Sequence, residues 1–186
     1  MDVSEKKRGV FMKKAGAIIL AAIILGLSAF ILIPQKTENA EYLRIHIRAN
    51  SNAQVDQRVK YAVKESVVDF LTPTVAEVTS KERLIGVLRE NLSEIEKTAK
   101  AVLEENGFSY GARAEVKNEK FPTRDYGKVT LKEGFYDALI IYLGEGTGDN
   151  WWCVLYPPLC FTGTGRNYIY KSKLQQIIRA FFEAKA

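Results

Sequence analysis

The chain has 186 residues, enough for one ordinary domain with additional segments at its ends. Its formal net charge is +5, and residues 1–14 carry five basic and two acidic side chains, so the remainder carries only +2. A charge this small excludes nucleic-acid binding as the expected function. Two cysteines and one histidine fall short of the four ligands of a closed metal site, and no cofactor is predicted.

The N-terminal part of the chain has the pattern of a membrane-directed segment. Residues 15–33 form an uncharged apolar run long enough to cross a bilayer as a helix. The basic flank of residues 1–14 favours a cytoplasmic N-terminus and export of the rest of the chain. Residues 15–33 are therefore predicted to be a signal peptide or a signal anchor, and the poor cleavage pattern before Ala40 favours the anchor. Residues 34–41 are predicted to be a polar linker to one extracytoplasmic domain, residues 42–186.

The domain is predicted to begin with a strand followed by a helix. Side chains alternate between apolar and polar over residues 42–49, which predicts a half-buried strand. The stretch "NSNA", residues 50–53, is typical of a turn and a helix start, with Asn and Ser able to cap free backbone N–H groups. Apolar residues recur at helical spacing over residues 55–71, and Pro73 is predicted to end this helix.

A second long helix and a second strand come next. Thr79 and Glu82 have the spacing of a capping box, and an apolar stripe continues to Leu103. Asn106 and Gly107 suit the C-terminal cap of this helix. From Phe108 to Lys117 the alternation has period two again, which predicts a strand.

The last third of the chain predicts two strands and a closing helix. The nearly continuous apolar run of residues 135–143 is typical of a central strand covered on both sides. Residues 144–150, "GEGTGDN", are predicted to be a mobile hairpin loop, and residues 151–156 a final strand. A helix is predicted from about Lys171. The fold class is therefore α+β, with a mostly antiparallel sheet, two long helices and a C-terminal helix.

Two groups of residues are candidates for catalysis. Cys153 and His46 could form a thiolate–imidazole pair, although Arg44 and Arg48 beside His46 disfavour its protonated form. The acidic candidates are scattered among turns without a recognisable spacing: Asp125, Asp137, Glu145 and Asp149. A non-enzyme is therefore expected, with a secreted hydrolase using Cys153 and His46, or these carboxylates, as the alternative.

The two cysteines, Cys153 and Cys160, lie in the predicted extracytoplasmic domain, where thiols can pair. A disulfide between them would close a short loop across Pro157 and Pro158. Two buried free thiols are the alternative, and the sequence does not decide between them.

Aromatic residues and prolines are concentrated after residue 150, and such residues commonly anchor protein interfaces. On an alternating strand Trp151 and Trp152 point to opposite sides, so one is expected in the core and the other at the surface. The alternative is that both belong to the core. The predicted partner-binding residues are Trp151, Trp152, Tyr156, Pro157, Pro158 and Phe161.

Several segments together resemble the stage II sporulation protein R family of endospore-forming bacteria. They are "RIHIRANSN", "KFPTRDYG" and "YDALIIYLGEGTGDNWWCVLYPPLCF", with the apolar segment at the N-terminus. The resemblance implies export from the forespore into the space between the two sporulating compartments. It also implies that the protein activates a membrane-embedded aspartic protease of the mother cell, which processes the precursor of an early sigma factor. The resemblance identifies no binding residues in this chain and implies no oligomeric state.

Overall fold

A computed structural model of the chain describes residues 39–161 and 170–185. The strands in these ranges are β1 (Leu43–Arg48), β2 (Ala112–Phe121), β3 (Arg124–Asp125), β4 (Thr130–Leu131), β5 (Gly134–Leu143) and β6 (Asn150–Tyr156). The helices are α1 (Gln54–Glu77), α2 (Lys81–Glu90), α3 (Leu92–Glu105) and α4 (Lys171–Glu183), with a single 3-10 turn at Leu159–Phe161. The predicted α+β class is confirmed.

The main sheet has four strands in the order β2–β5–β1–β6, and β3 and β4 form a separate small hairpin. The outer strands are antiparallel to their neighbours, but the two central strands, β1 and β5, run parallel. The prediction of a mostly antiparallel sheet holds for two of the three strand pairs, and the parallel central pair makes the sheet mixed. Alternation within one strand does not report the direction of its neighbour, and parallel strands need a long crossover, here the chain from α1 to β4.

Helix α1 continues past the proline that was predicted to end it. Pro73 lies inside the helix, which ends at Glu77. A proline inside a helix removes one backbone hydrogen bond and costs about 3 kcal/mol. Val75 and Ala76 in the last turn are buried, and their apolar burial offsets part of this cost.

The predicted second long helix is two helices separated at Asn91. The Asn91 side-chain amide donates to the carbonyl of Val87 at 2.8 Å, a local bond that competes with helical continuation. The N-cap is Ser80, whose hydroxyl accepts from the Arg83 N–H at 3.2 Å. The capping residue is therefore one position later than the predicted Thr79.

One side of the sheet, the helix face, carries the side chains of Leu43, Ile45 and Ile47 from β1. Helices α1, α2 and α3 supply most of the other apolar residues packed there. The apolar residues of the alternation in β2 also lie on this side, with Ala114 buried and Val116 partly buried. The predicted strand is therefore confirmed, although it begins at Ala112 and extends to Phe121.

The opposite side, the hairpin face, carries the side chains of Arg44, His46 and Arg48. Residues from β2, β5, β6 and the β3–β4 hairpin pack against it, among them Phe121 and Leu131. Arg44 and His46 are both fully buried, so β1 is enclosed on both faces and the prediction of a half-buried strand is wrong. Arg44 and His46 are buried although they are polar, because residues more than 70 positions away in the sequence cover them.

The predicted N-terminal segments, residues 1–14 and 15–33, lie outside the described residues, as does most of the predicted linker. Its last residues are described and belong to the domain. Lys81 donates a hydrogen bond to the Ala40 carbonyl, and Lys185 pairs with Glu41 at 2.6 Å. Within the described part of the chain, no helix has both the length and the apolar character needed to cross a membrane.

Candidate functional site

The glycine loop, residues 144–149 between β5 and β6, lies against the turn that joins β1 to α1. The Gly148 N–H donates to the Ala49 carbonyl at 2.9 Å, and the Thr147 N–H donates to the Asn50 carbonyl at 3.3 Å. The Asp149 N–H donates to the side chain of Asn52 at 2.7 Å. These bonds fix the loop to the turn at three successive positions, in contrast to the mobile loop predicted from its glycine content.

Two of its glycines are required by the backbone itself. A Cβ atom on Gly148 would overlap the backbone of Ser51, so only a residue without a side chain permits this approach. Gly144 has a φ of +55°, and a Cβ there would overlap the side chain of Asn50. The glycine content of the loop therefore allows close packing against the turn.

Asp56, in the first turn of α1, organises the turn beneath the loop. Its carboxylate accepts hydrogen bonds from Asn50 at 3.0 Å, Ser51 at 2.5 Å and Tyr110 at 2.6 Å. Burial alone would raise the pKa of Asp56, but these hydrogen bonds lower it. The N-cap of α1 is Ala53, without a side-chain cap, so Asn50 and Ser51 bind Asp56 instead of capping the helix as predicted.

Lys60, one turn further along α1, completes the contact between helix and loop. Its side chain is 2% exposed, and its ammonium donates to Gln57 at 2.6 Å and to the Asp149 carbonyl at 2.9 Å. Burial lowers the pKa of Lys60, and Asp149 opposes this shift. We call residues 49–53, Asp56, Lys60 and Tyr110 the clasp, because together they hold the glycine loop.

Trp151 and Trp152 follow the glycine loop at the start of β6. Trp151 lies opposite Ile47 and packs on the helix face, whereas Trp152 lies opposite His46 and packs on the hairpin face. The rings of Trp152 and His46 are stacked, with 4.6 Å between their centroids. Both tryptophans are half-buried, so neither expectation, one core and one surface or both core, describes them.

Tyr156 is half-buried at the opposite end of β6 from the glycine loop. Its ring contacts Phe181 of α4 at 5.7 Å, and its hydroxyl donates to the Thr79 carbonyl at 3.0 Å. At about 3.3 Å per residue, it lies about 13 Å along the strand from Trp152. Tyr156 therefore belongs to a different part of the surface.

The remaining predicted partner-binding residues are buried. Pro157 and Pro158 come directly after β6 and have little exposed surface, and Phe161 is 1% exposed within the core of the helix face. In this structure their side chains are not available to a partner. Of the six predicted residues, Trp151 and Trp152 are the two that are accessible beside the glycine loop.

Cys153 and Cys160 are joined by a disulfide bond, with 5.9 Å between their Cα atoms. Cys153 lies opposite Ile45 and packs on the helix face, whereas the ring of His46 lies on the hairpin face. The sheet separates the two side chains, and the sulfur of Cys153 is not a free thiol. The structure therefore does not form the nucleophile–base pair considered from the sequence.

His46 is enclosed by aromatic and charged neighbours. Its ring contacts Phe121 at 5.1 Å, and its Nε2 lies 3.6 Å from a carboxylate oxygen of Glu119, which also binds Arg48. Burial lowers the pKa of His46 to about 3, and the positive charges of Arg48, Lys117 and Arg44 contribute to this shift. The imidazole is therefore neutral at physiological pH, because burial and the three neighbouring cations together oppose its protonation.

The four acidic candidates do not assemble. Asp137 pairs with Lys81 at 2.6 Å beside Leu43, at the end of β1 opposite to the glycine loop. Asp125 lies in the β3–β4 hairpin and accepts a hydrogen bond from the Gly127 N–H at 2.8 Å. Glu145 and Asp149 share the glycine loop and are exposed there. The structure thus brings only these last two into one segment.

No pattern in the sequence predicted three residues of the clasp: Asp56, Lys60 and Tyr110. Asp56 stands in the first turn of a helix, where an acidic residue is common for reasons of helix stability alone. Tyr110 is 54 residues away from it in the sequence. The one signal in the sequence was the density of Asn and Ser before the helix, which was interpreted as capping.

Together, fold and site define a small α+β domain with one rigid end. At this end a glycine loop is fixed by a buried polar clasp and followed by two half-buried tryptophans. The polar groups of the clasp bind one another, so their role is to set the shape of the loop. Such an end suits recognition by contact.

Comparison with known proteins identifies the family of the chain. The family model described as "Stage II sporulation protein R (spore_II_R)" matches residues 39–166. The curated stage II sporulation protein R of Bacillus subtilis (strain 168) is 38% identical over 133 residues. These are 68% of this chain but 59% of that protein, so the match spans about three fifths of the relative's length. No solved structure matches the chain. The chain belongs to the stage II sporulation protein R family.

Proposed function

We propose that this protein is an intercellular sporulation signal that works by contact. It is exported from the forespore into the space between forespore and mother cell, and remains attached through residues 15–33 or is released there. It binds a membrane-embedded aspartic protease of the mother cell and activates it. The active protease then processes the precursor of an early mother-cell sigma factor. Membership of the stage II sporulation protein R family supports a role in sporulation.

The observation that carries the proposal is the arrangement of the glycine-loop end. Glu145, Thr147 and Asp149 are exposed on the loop, and Trp151 and Trp152 beside it are half-buried. A binding surface gains affinity when its groups are already held in place, because less conformational entropy is lost on association. The clasp provides this preorganisation, and the tryptophans provide the rigid aromatic area that interfaces commonly use.

Activation by contact has a simple energetic requirement. The signal must bind the active form of the protease more tightly than the inactive form, and this difference in affinity shifts the population. A rigid loop end is suited to this requirement, because it cannot adapt equally well to both forms. No covalent step by the signalling protein itself is needed.

The test is to express this protein with the protease and the sigma-factor precursor in cells that are not sporulating, and to measure precursor cleavage. Trp152→Ala is expected to reduce cleavage at least about tenfold, in line with the loss of an aromatic interface anchor. Glu145→Lys reverses an exposed loop charge whose side chain makes no hydrogen bond or ion pair within the described residues. It is expected to reduce cleavage without changing the melting temperature.

The matched control is Phe135→Ala. Phe135 is an exposed aromatic residue, 63% accessible, on the same sheet but at the end of β5 farthest from the glycine loop. It is expected to leave cleavage unchanged. Full cleavage with folded Trp152→Ala and Glu145→Lys proteins would show that the glycine-loop end is not the contact surface.

A further inference from the structure

Strand β2 is an edge of the main sheet, hydrogen-bonded to β5 on one side only. The Ala114 N–H donates to the carboxylate of Glu96 on α3 at 2.8 Å, so it points away from β5. In an antiparallel strand every second residue directs both its N–H and its C=O to the same side. Ala112, Val116, Asn118 and Lys120 therefore also direct their backbone groups outward.

Most of this edge is free within the described residues. The backbone N–H groups of Val116, Asn118 and Lys120 bind no side chain or loop there, in contrast to that of Ala114. The strand is ten residues long and its side chains are half-buried or exposed around this stretch, except for the buried Ala114 and Phe121. An edge of this length is a template for another strand.

The charges on the hairpin face of β2 alternate along the strand: Arg113, Glu115, Lys117 and Glu119. Arg113 and Lys117 are the more accessible, with side-chain exposures of 59% and 41%, whereas Glu115 and Glu119 are 32% and 19% exposed. Within the strand Lys117 already lies 2.9 Å from Glu115 and 3.4 Å from Glu119. Charged side chains on an edge normally prevent pairing with other strands, unless the incoming strand has the opposite charge at each position.

We propose that two copies of this chain pair antiparallel through β2, about a two-fold axis at Val116. In this register Arg113 lies opposite Glu119 of the second copy, and Glu115 lies opposite Lys117 of the second copy. All four charged positions then face an opposite charge, in both directions. On the helix face the two Val116 side chains meet at the axis, an apolar pair between the two domains.

The backbone pattern agrees with this register. The outward-facing residues pair with each other, Val116 with Val116 and Ala114 with Asn118 of the second copy, as an antiparallel ladder requires. The Ala114 N–H exchanges its bond to Glu96 for the carbonyl of Asn118 of the second copy. The Glu96 carboxylate thus binds the Ala114 N–H in the single chain and releases it when the second copy binds.

The charges also exclude the adjacent registers. Moving the axis by one residue in one direction places Glu115 opposite Glu115, and in the other direction Lys117 opposite Lys117. Directly opposed like charges destabilise a strand pair. The same side chains therefore resist unspecific edge pairing and select one symmetric pair. This inference does not depend on the proposed function.

The test uses the full chain in detergent with Val116→Cys, which places one added thiol at the axis. Mild oxidation is expected to give a covalent dimer, because directly opposed residues in a strand pair have Cα atoms about 5.5 Å apart. Asn118→Cys is the matched control: its thiol lies opposite Ala114 of the second copy and is expected to cross-link little. Equal yields from the two variants, or no dimer from Val116→Cys, would overturn the proposal.

Charge reversal separates pairing from folding. In the Val116→Cys background, Lys117→Glu alone and Glu115→Lys alone each place like charges opposite each other, and each is expected to reduce the dimer about tenfold. A mixture of these two proteins restores opposite charges at both positions and is expected to recover the dimer. A mixture that stays as low as its components would overturn the proposal, since altered folding of either variant would not be repaired by mixing.

Discussion

At the scale of single residues, the protonation of His46 is strongly disfavoured by its surroundings. It is fully buried, and burial together with Arg48, Lys117 and Arg44 lowers its pKa to about 3. In the unfolded chain its pKa is about 6.5. Below pH 6.5 the unfolded state therefore binds a proton that the folded state does not bind. The free energy of unfolding must fall as the pH is lowered from about 6.5 to about 3.

His46→Leu is expected to remove this contribution. For one histidine the slope is at most about 1.4 kcal/mol per pH unit, and the variant should lose that part of the pH dependence. Leucine fills a similar volume without the two ring nitrogens, which have no hydrogen-bond partner among the described residues. Urea unfolding at about pH 7, 5.5 and 4.5, across the range of this titration, measures the effect, with wild type as the reference for all other titrating groups. Parallel pH profiles for variant and wild type would contradict the burial of a neutral His46.

At the scale of elements, the chain that leaves β6 is fixed by the disulfide between Cys153 and Cys160. The bridge joins the buried middle of β6 to the 3-10 turn at Leu159–Phe161. It spans a sequence separation of seven residues and keeps Phe161 at the core of the helix face. A cross-link of this loop length contributes about 2.5 kcal/mol by restricting the unfolded chain.

Replacing both cysteines by alanine is therefore expected to lower the free energy of unfolding by about 2.5 kcal/mol. Urea denaturation with and without reductant gives the measurement. The wild-type protein should become less stable when reduced, whereas the Cys153→Ala/Cys160→Ala protein should not respond to the reductant. If reduction left the wild-type midpoint unchanged, the bridge would contribute nothing to the stability of the fold.

At the scale of the whole molecule, the glycine loop joins parts of the chain that are far apart in sequence. It ties the end of β5 and the start of β6 to the turn after β1, about a hundred residues earlier, through bonds such as that from Asp149 to Asn52. Gly148→Ala introduces a Cβ atom against the backbone of Ser51, which cannot move aside as a flexible side chain could. The substitution is expected to destabilise the protein by about 1–3 kcal/mol, the cost typical of overpacking.

The same substitution tests whether loop geometry matters for signalling. Gly148→Ala is expected to reduce cleavage of the sigma-factor precursor even at a temperature where the variant remains folded. Gly86→Ala is the control, because a Cβ atom there meets nothing within 4 Å and alanine is the better helix former. It should raise stability by up to about 1 kcal/mol and leave cleavage unchanged. Full cleavage with folded Gly148→Ala protein would show that signalling does not require the loop geometry that the clasp imposes.

The sequence by itself determined the family, the α+β class and the local elements whose periodicity is strong. Residues 135–143 lie in a central strand, residues 151–156 lie in β6, and a helix starts at Lys171, as their patterns predict. The alternation around Ala114 correctly predicted a strand there. These features depend on neighbours in the chain, so periodicity alone reports them.

Only the tertiary structure decided how these elements meet. The parallel pairing of β1 with β5, the burial of Arg44 and His46, and the bond between Asp56 and Tyr110 join residues that are 54 or more positions apart. The continuation of α1 through Pro73 has the same origin, since packing of the last turn against the core offsets a local penalty. Contacts between distant residues depend on the closed fold, and no local pattern records which partner will cover a charge or fill a hydrogen bond.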